Sequence, residues 1–581
     1  MSAENIIIIE PKITEITVET IDKTVTVSRA GVQGEKGETG DGVPEGGTTG
    51  QIIEMGESTP EWKDKNISDT NATDLTDGGD TTLHTHDGRY YTETEIDEKL
   101  EALEQRSIYY GIGVPGTIGF GVAPAKKEKY EAIGAVPYEG HDVDESPNRG
   151  LYLHIASGAT LCHIPKHYYK YIGNIATFSD YPKDGYVLDR SFINGGVELD
   201  GIFTFITHGS NNGGKLSARK GYAPLSTATA NNPISVLSTA PANNMGGIYK
   251  ASKSCDVKAF AMPVWHITML ARLAKAHGEA STSTAVCAFA DVSPKHPKGN
   301  NNNALNDYND TSVTFTSAGN ATYPNCALTG SGVPYAKTTH NGQQNGVADL
   351  NGNMWTACSG MTYMARTGAT GTSGATAINL IAHGYTAGTK IAFGATPAYG
   401  TTYNTVVYTV ATVVDADNFT LATALSRDIV ATDGIYTGKT FYILKESVDI
   451  TSIIDDSTTA GTGAFDMSLY DQVDLSDIIN TNNSWKRLGN GAERVFDFST
   501  DRNSNEFKRA SLGIPRLLGQ SSTGTAEYGN DGIYAYLRHG CVPRAGGAWG
   551  STSDAGPGTF YLGNNRAGSY YYVGVRASLL G

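Results

Sequence analysis

The C-terminal segment, residues 540–581, is the part of the chain that most restricts its fold. Its two ends carry residue types that are typical of a rigid framework: Gly546, Gly547, Trp549, Gly574 and Arg576. The stretch between them is rich in Ser, Thr, Asn, Asp and Tyr. Tyrosine offers a large contact area with few rotatable bonds, and small polar side chains offer adaptable hydrogen bonds. The segment therefore predicts a binding surface that is held by a framework.

The residues predicted to form the contacts of this binding surface are Ser551, Ser553, Asp554, Thr559, Tyr561, Asn564, Ser569, Tyr570, Tyr571 and Tyr572. Successive side chains of a strand point to opposite faces, so at least one of Tyr570–Tyr572 is expected to reach solvent. Clustered exposed aromatic residues commonly mark an interaction site. Four further residues are expected either to rim the same site or to pack in the core: Tyr534, Tyr536, His539 and Arg544.

Framework aromatics and arginines have a different expected role. Trp355 and Trp549 are predicted to be core residues, because large aromatic side chains dominate the energetics of a core. Arg566 and Arg576 are predicted to hydrogen-bond buried groups of the scaffold. The six cysteines are scattered without a CxxC pair, which favours buried thiols over a disulfide framework or a zinc site.

Length and charge limit the possible classes of protein. A chain of 581 residues is expected to contain several modules, and its 69 glycines indicate many turns and short strands. The net charge of −16 argues against a nucleic-acid partner, which a basic surface would bind. No uninterrupted apolar run approaches the roughly 18 residues of a membrane span, and the first residues lack the pattern of a secretory signal. We therefore expect synthesis in a cytoplasm and no membrane insertion.

The N-terminal region is predicted to be extended and fibrous. Isoleucine and valine at short spacing among Thr and Glu favour short strands in residues 1–28. Residues 29–45 carry glycine at every third position from Gly31 to Gly40, as a collagen triple helix requires. Four triplets without proline cannot hold such a helix alone, so a flexible glycine-rich linker stays open. A triple helix would make the protein a trimer. Ile96, Leu100 and Leu103 have the spacing of a short coiled coil.

Residues 46–106 closely resemble connector segments of tailed-phage fibre proteins, most specifically over Leu83–Asp97. The resemblance implies that residues 1–28 attach the chain to the virion. It also implies that His84 and His86 from each of three chains could hold iron, or another transition metal, on the trimer axis. The alternative is that both histidines pack and hydrogen-bond in a turn. No cofactor is expected to be required for binding.

Residues 107–581 are predicted to form one irregular α+β domain that carries an insertion. Residues 107–367 and 438–581 are its two parts. Between them, residues 368–437 change to an alternation of Thr, Val and Ala with Gly and Asp turns, which predicts a small β-module. The sequence predicts one helix, with Pro263 at its first position, an apolar face that includes Ile267, and Gly278 at its end.

The same domain resembles the C-type-lectin-like domain of formylglycine-generating proteins. The matching blocks occur in the family's order at Leu161–Lys170, Val197–Phe203, His340–Trp355, Phe441–Leu444 and Gly513–Arg516. The C-terminal framework also resembles phage receptor-binding proteins that retroelements diversify by mutating adenines. In those proteins Asn codons become Tyr, Ser, Asp, Thr, His or Gly, which are the residues found here. The resemblance implies a lectin-like fold with a variable binding face.

The formylglycine-generating enzymes hold copper with a pair of cysteines near the C-terminus. Here Cys541 precedes the glycine pair and no cysteine follows it, so the soft metal lacks its thiolate pair. We therefore expect that the chain is not an enzyme. Three alternatives stay open: an oxidase of the formylglycine-generating type, a fibre that cleaves glycans with paired carboxylates, and a purely structural spacer.

These observations together predict a trimeric tail-fibre adhesin of a phage virion. Its expected partners are a bacterial surface receptor, protein or glycan, other virion tail proteins and two further copies of the chain. Solvent-exposed side chains at Tyr570–Tyr572 would favour the adhesin over the spacer. A carboxylate pair in a glycan-sized groove would favour the cleaving fibre.

Overall fold

A computed structural model of the chain divides it into two compact units, residues 1–105 and 106–581. The predicted boundary after residue 106 falls one residue from this division. The residues that the structure describes are 15–20, 23–28, 51–55, 60–64, 111–173, 175–284, 286, 312–322, 324–331, 339–453, 465–476, 484–487, 498–515, 531–551 and 554–581.

The first unit contains two antiparallel hairpins. Glu15–Thr20 pairs with Lys23–Ser28, and Gln51–Met55 pairs with Pro60–Asp64. The predicted short strands are thus present in the described part of residues 1–28. The glycine triplets of residues 29–45, His84 and His86, and the predicted coiled coil lie outside the described residues.

The second unit mixes strands with few helices. One antiparallel sheet, the terminal sheet, contains the last strand of the chain between strands from much earlier residues. Its order is Phe260–Ala261, Ala577–Leu579, Gly201–Phe205, Ala159–Pro165, Leu151–His154 and Ala135–Pro137. Leu161, Ile164 and Phe203 are buried and belong to the main hydrophobic core.

A second sheet, the pocket sheet, combines parallel and antiparallel pairs. Its order is Ser484–Arg487, Gly532–Ala535, Gly556–Tyr561, Arg544–Gly546, Trp355–Ala357 and Val573–Gly574. Ile533, Phe560, Ala545 and Thr356 lie side by side on one face and are buried. Because side chains alternate along a strand, the neighbouring residues point to the opposite face.

A third sheet, the inserted sheet, lies within residues 368–437, where the sequence predicts a β-module. Its antiparallel order is Ala377–Asn379, Asn418–Leu421, Tyr403–Val413, Lys390–Gly394 and Gly434–Tyr436. Ile378, Ile391, Phe393 and Phe419 belong to a hydrophobic cluster of its own. The module therefore has a core separate from the main one.

Smaller sheets complete the strands of the described part. Three-stranded sheets are Val187–Leu188, Tyr168–Ile172 and Ile175–Ser179, and Met361–Tyr363, Phe441–Leu444 and Tyr470–Val473. Two-stranded pairs are Ile193–Asn194 with Val197–Glu198, Ser210–Asn212 with Lys215–Ser217, and Phe315–Ser317 with Asn325–Ala327.

The α-helices of the described part are Lys127–Ala132, Ile248–Lys253, Val264–Ala280 and Asn505–Ser511. The predicted helix is confirmed, but both of its predicted ends are wrong. Pro263 is the extended residue before the first turn, and the helix continues through Gly278 to Ala280. Gly278 is buried, so tertiary packing overrides its weak helix propensity. None of these helices is long and apolar enough to cross a membrane.

The predicted buried thiols are confirmed for the five described cysteines, Cys162, Cys255, Cys326, Cys358 and Cys541, which are all free and buried. Cys287 lies outside the described residues.

Candidate binding site

Strand register places a row of large side chains across four strands of the pocket sheet. Trp485 is paired with Tyr534, Tyr534 with Tyr561, and Tyr561 with Arg544. All four point to the face opposite the buried one. The rings of Tyr534 and Tyr561 are stacked with centroids 4.2 Å apart, and Trp485 meets Tyr534 edge-on at 5.5 Å. Contacts of this kind are worth about 0.5–1.5 kcal/mol each beyond area burial.

A cavity of about 360 Å³ opens on this face. The described residues that line it are Trp355, Trp485, Arg544, Ala548, Trp549, Gly550, Ser551, Asp554, Tyr561, Tyr571 and Tyr572. Nine of these eleven come from Arg544–Tyr572, the exceptions being Trp355 and Trp485. The segment predicted to bind a receptor therefore supplies most of the wall, and two distant strands supply the rest.

Arg544 lies among aromatic rings at this cavity. Its guanidinium carbon is 4.0 Å from the ring centre of Tyr561, 4.7 Å from Trp355 and 5.1 Å from Tyr572. The side chain is 6% exposed, and its Nε and Nη1 atoms are buried without a hydrogen-bond partner among the described residues. Burial raises the pKa of Tyr561, while the charge of Arg544 opposes that rise.

The polar side of the cavity is formed by Ser551 and Asp554. Asp554 is ion-paired with Arg487 at 2.9 Å, and both side chains are partly exposed. The Oγ of Ser551 accepts a hydrogen bond from the backbone N–H of Ala548 at 2.9 Å. These bonds hold the turn between the strands Arg544–Gly546 and Gly556–Tyr561.

The three consecutive tyrosines are half-buried, so the prediction that at least one reaches solvent is confirmed. Tyr571 stacks on Trp549 with centroids 6.2 Å apart, and its hydroxyl bonds to the side chain of Asn320. Tyr572 meets Tyr571 edge-on at 5.0 Å. The backbone is fixed as well, because the Tyr570 N–H donates to the Thr227 hydroxyl at 3.1 Å.

The predicted contact residues that the structure describes fall into three groups: residues that line the cavity, residues that lie beside it, and residues that are buried. Ser551, Asp554, Tyr561, Tyr571 and Tyr572 line the cavity. Tyr570 and Ser569 lie beside it in the chain, with Tyr570 half-buried 5.4 Å from the Tyr572 ring and Ser569 exposed. Ser553 lies outside the described residues.

For Thr559 and Asn564 the predicted solvent exposure is wrong. Thr559 is fully buried, and its hydroxyl donates to the Asp554 carbonyl at 2.8 Å. Asn564 is 4% exposed, and its backbone carbonyl accepts from the Val542 N–H. Both residues have the polar composition of a contact surface, but hydrogen bonds to the backbone of Asp554 and Val542 hold them in buried positions.

The predicted framework residues occupy restricted positions. Gly546 and Gly547 have φ of +93° and +97°, which favours glycine. A Cβ at Gly574 would lie 3.1 Å from the Leu225 carbonyl oxygen. Arg576 is fully buried and donates to the Ala348 carbonyl and to Thr356, so its predicted scaffold role is confirmed.

Trp355 and Trp549 are buried, as the sequence predicts, with exposures of 4% and 2%. Both also line the cavity, a double role that the sequence analysis does not anticipate. Of the residues expected either to rim the site or to pack, Arg544 lines the cavity. Tyr536 and His539 pack elsewhere, near Tyr403 and Tyr399. Trp485 was missed, because only the strand register brings it to the site.

A second cavity of about 350 Å³ contains two carboxylates, Glu446 and Asp471. Glu446 accepts two hydrogen bonds from Arg502 at 2.9 and 2.5 Å, and Arg190 lies 3.6 Å away. A bidentate arginine stabilises the ionised carboxylate, whereas glycan cleavage requires one carboxyl group that carries a proton. This arrangement is that of a structural ion pair.

Within the described residues, no group of three His, Cys, Asp or Glu side chains could hold a metal ion. The Cys541 thiol contacts the Leu562 carbonyl at 3.1 Å. Burial raises the pKa of this thiol to about 12, which keeps it protonated and unsuited to bind a soft metal.

Comparison of the chain with protein-family models and with curated proteins finds no match.

Proposed function

We propose that the chain is the receptor-binding adhesin of a tailed-phage fibre and that the aromatic cavity binds the receptor. The observation that carries the proposal is the composition of this cavity. Five residues that the sequence marks as receptor contacts line it together, although they lie up to 21 positions apart: Ser551, Asp554, Tyr561, Tyr571 and Tyr572. A surface that needs these residues only for packing would not leave an open space among them.

The walls are held in place before any ligand arrives. Trp549 stacks on Tyr571, Tyr534 stacks on Tyr561, and Asn320 and Thr227 fix the tyrosine segment. A preorganised aromatic site avoids much of the entropy cost of ordering side chains upon binding. The volume lies near the lower end of the range for small-ligand sites, which suits one or two sugar rings or a short peptide end.

The enzyme alternatives have less support. Among the described lining residues the only carboxylate is Asp554, which is ion-paired with Arg487. Glycan cleavage by the common mechanisms needs two carboxyl groups across the scissile bond. We propose that the chain is not an enzyme. The partial exposure of Tyr570–Tyr572 favours the adhesin over a purely structural spacer.

The remaining parts of the proposal follow from the sequence. Residues 107–367 and 438–581 would form a lectin-like domain of the diversified type, and residues 368–437 would be an inserted module. Residues 1–106 would attach to the virion and trimerise, with His84 and His86 as possible ligands of an axial iron. Three copies of a modest site in each fibre would raise avidity by ~10²–10⁴ without new contacts.

Binding of the purified, labelled full chain to a panel of bacterial strains tests the proposal. We expect binding to at least one strain, loss of that binding in a Tyr571→Ala, Tyr572→Ala double variant, and no loss in Tyr181→Ala. Tyr181 is the matched control, because it is 48% exposed and lies outside the cavity. A folded double variant that still binds would place the receptor site elsewhere. A chain that binds no strain would contradict the adhesin.

A further inference from the structure

Arg544 differs from the other deeply buried arginines in the described part of the chain. Arg272 is ion-paired with Asp189, Arg190 lies beside Glu446, and Arg576 donates to backbone and hydroxyl oxygens. Arg544 is 6% exposed, yet it has neither an ion pair nor a side-chain hydrogen bond with any described residue. Burying a charge without a partner is costly, so an unsatisfied guanidinium at a cavity needs an explanation.

The surrounding aromatic rings explain how the charge is tolerated but not what its donors bind. Tyr561, Trp355, Tyr572 and Tyr570 lie 4.0–5.7 Å from the guanidinium carbon and attract a cation through their faces. These rings offer no strong acceptor in the plane of the guanidinium, where its N–H groups point. Nε and Nη1 are enclosed, which leaves Nη2 as the nitrogen that a ligand in the cavity reaches first.

We propose that the cavity binds an acidic sugar, with the carboxylate of a pyranose ring on Arg544 and the ring faces against the aromatic walls. This inference rests on the proposed receptor-binding function and specifies its ligand. A guanidinium is the side chain best matched to a carboxylate, and the resulting charge-assisted hydrogen bonds are about twice as strong as neutral ones.

The charge of the site favours a ligand with a single negative charge. Among the described lining residues, two carry a permanent charge, Arg544 and Asp554, and Asp554 is already neutralised by Arg487. One positive charge is left over, which one carboxylate balances. A phosphate with nearly two charges would be unbalanced and would face Asp554.

The shape favours a sugar over an acidic peptide. Trp549 and Tyr571 are stacked on one side, and Trp355 and Trp485 are stacked 6.5 Å apart on another. The apolar faces of a pyranose ring pack on such flat walls, while Ser551 and the rim can hydrogen-bond its hydroxyl groups. An extended peptide would instead need an unpaired strand edge or a longer groove.

Titration of the full chain with monosaccharides, followed by ligand-observed NMR or calorimetry, tests the inference. The probes are N-acetylneuraminic acid and galacturonic acid, with galactose as the neutral match, triglutamate as the acidic peptide and inorganic phosphate. We expect at least one acidic sugar to bind more tightly than galactose. Arg544→Gln should weaken that binding by at least about tenfold and weaken any galactose binding by less. Arg544→Lys, which keeps the positive charge, should weaken it less than Arg544→Gln does.

Thermal melting of the same variants separates a ligand role from a structural one. Arg544→Gln removes an unpaired buried charge and is expected to leave the melting temperature unchanged or to raise it. Equal binding of acidic and neutral sugars, or tighter binding of triglutamate or phosphate, would overturn the inference. So would unchanged acidic-sugar binding in folded Arg544→Gln.

The two proposals fail in different ways. Cell binding that depends on Tyr571 and Tyr572 but not on Arg544 would support the adhesin function and reject the acidic sugar as its ligand. Acidic-sugar binding that depends on Arg544, by a chain that adheres to no strain, would keep the site and reject the adhesin.

Discussion

Replacing Gly547 with alanine is expected to destabilise the second unit by about 2–5 kcal/mol. The backbone there has φ of +97°, and an L-residue in the left-handed region costs roughly 1–2 kcal/mol. The new Cβ would also lie 2.7 Å from both Cα and Cβ of Ala555, which is buried and cannot move aside. Forcing such a contact costs a further ~1–3 kcal/mol.

Gly213→Ala is the matched control for this change. Gly213 has φ of +59°, and a Cβ there would meet no atom within 4 Å, so only the conformational cost of roughly 1–2 kcal/mol applies. Urea denaturation of both variants, compared at equal m-values, measures the difference. The Gly547 variant should also lose cell binding under conditions where it is folded, because Trp549 and Ser551 follow directly. Equal destabilisation by both substitutions would refute the close contact with Ala555.

Three other outcomes are expected. Trp549→Ala should lower the free energy of unfolding by about 3 kcal/mol, which is at the low end for a buried aromatic because the ring borders a cavity, and Trp549→Phe should lower it less. An unchanged melting temperature in the alanine variant would contradict the burial of the ring. The free energy of unfolding should fall as pH drops from 6.5 towards 4, because burial lowers the pKa of His163 and His277 to about 4 and of His266 and His340 to about 3. The unfolded chain therefore binds protons first, and each histidine lowers the free energy of unfolding by up to about 2 kcal/mol at pH 5. A urea midpoint that is equal at pH 7.5 and pH 5 would be inconsistent with this. Light scattering should give three times 61.5 kDa if residues 29–106 trimerise the chain, and a monomer at micromolar concentration would reject the trimer.

Local sequence patterns predicted those parts of the fold that depend on local residues. The alternation of Val, Thr and Ala predicted a β-module where the inserted sheet lies, and the apolar periodicity after Pro263 predicted the long helix. The helix end could not be predicted, because Gly278 is retained in the helix by burial. Burial of Thr559 and Asn564 was missed for a related reason, since their composition suits a surface and only contacts with distant parts of the fold bury them.

The cavity itself could not be predicted, because no sequence period links its residues. Trp485, Tyr534, Tyr561 and Arg544 come from four strands and meet only through pairing that is partly parallel. Composition marked Tyr561 and the C-terminal tyrosines, but it gave no reason to join them to Trp485. A tryptophan between Ser and Lys reads as an ordinary strand residue until its neighbours across the sheet are known.

The arrangement of the cavity separates residues that can change from residues that cannot. Trp355, Trp485 and Arg544 lie on strands of the pocket sheet, where their backbones are paired, and the ring of Trp355 is buried, so that its loss would disturb the core beneath. Ser551 and Asp554 lie in a turn, and Tyr571 and Tyr572 precede the last strand of the sheet, with partly exposed side chains. Exposed substitutions usually change stability by less than about 0.5 kcal/mol, whereas a lost buried aromatic costs several kcal/mol. Under the proposed function, substitutions at Ser551, Asp554, Tyr571 and Tyr572 would therefore alter which sugar binds. The strand residues would stay the same, so that Arg544 would still bind the carboxylate.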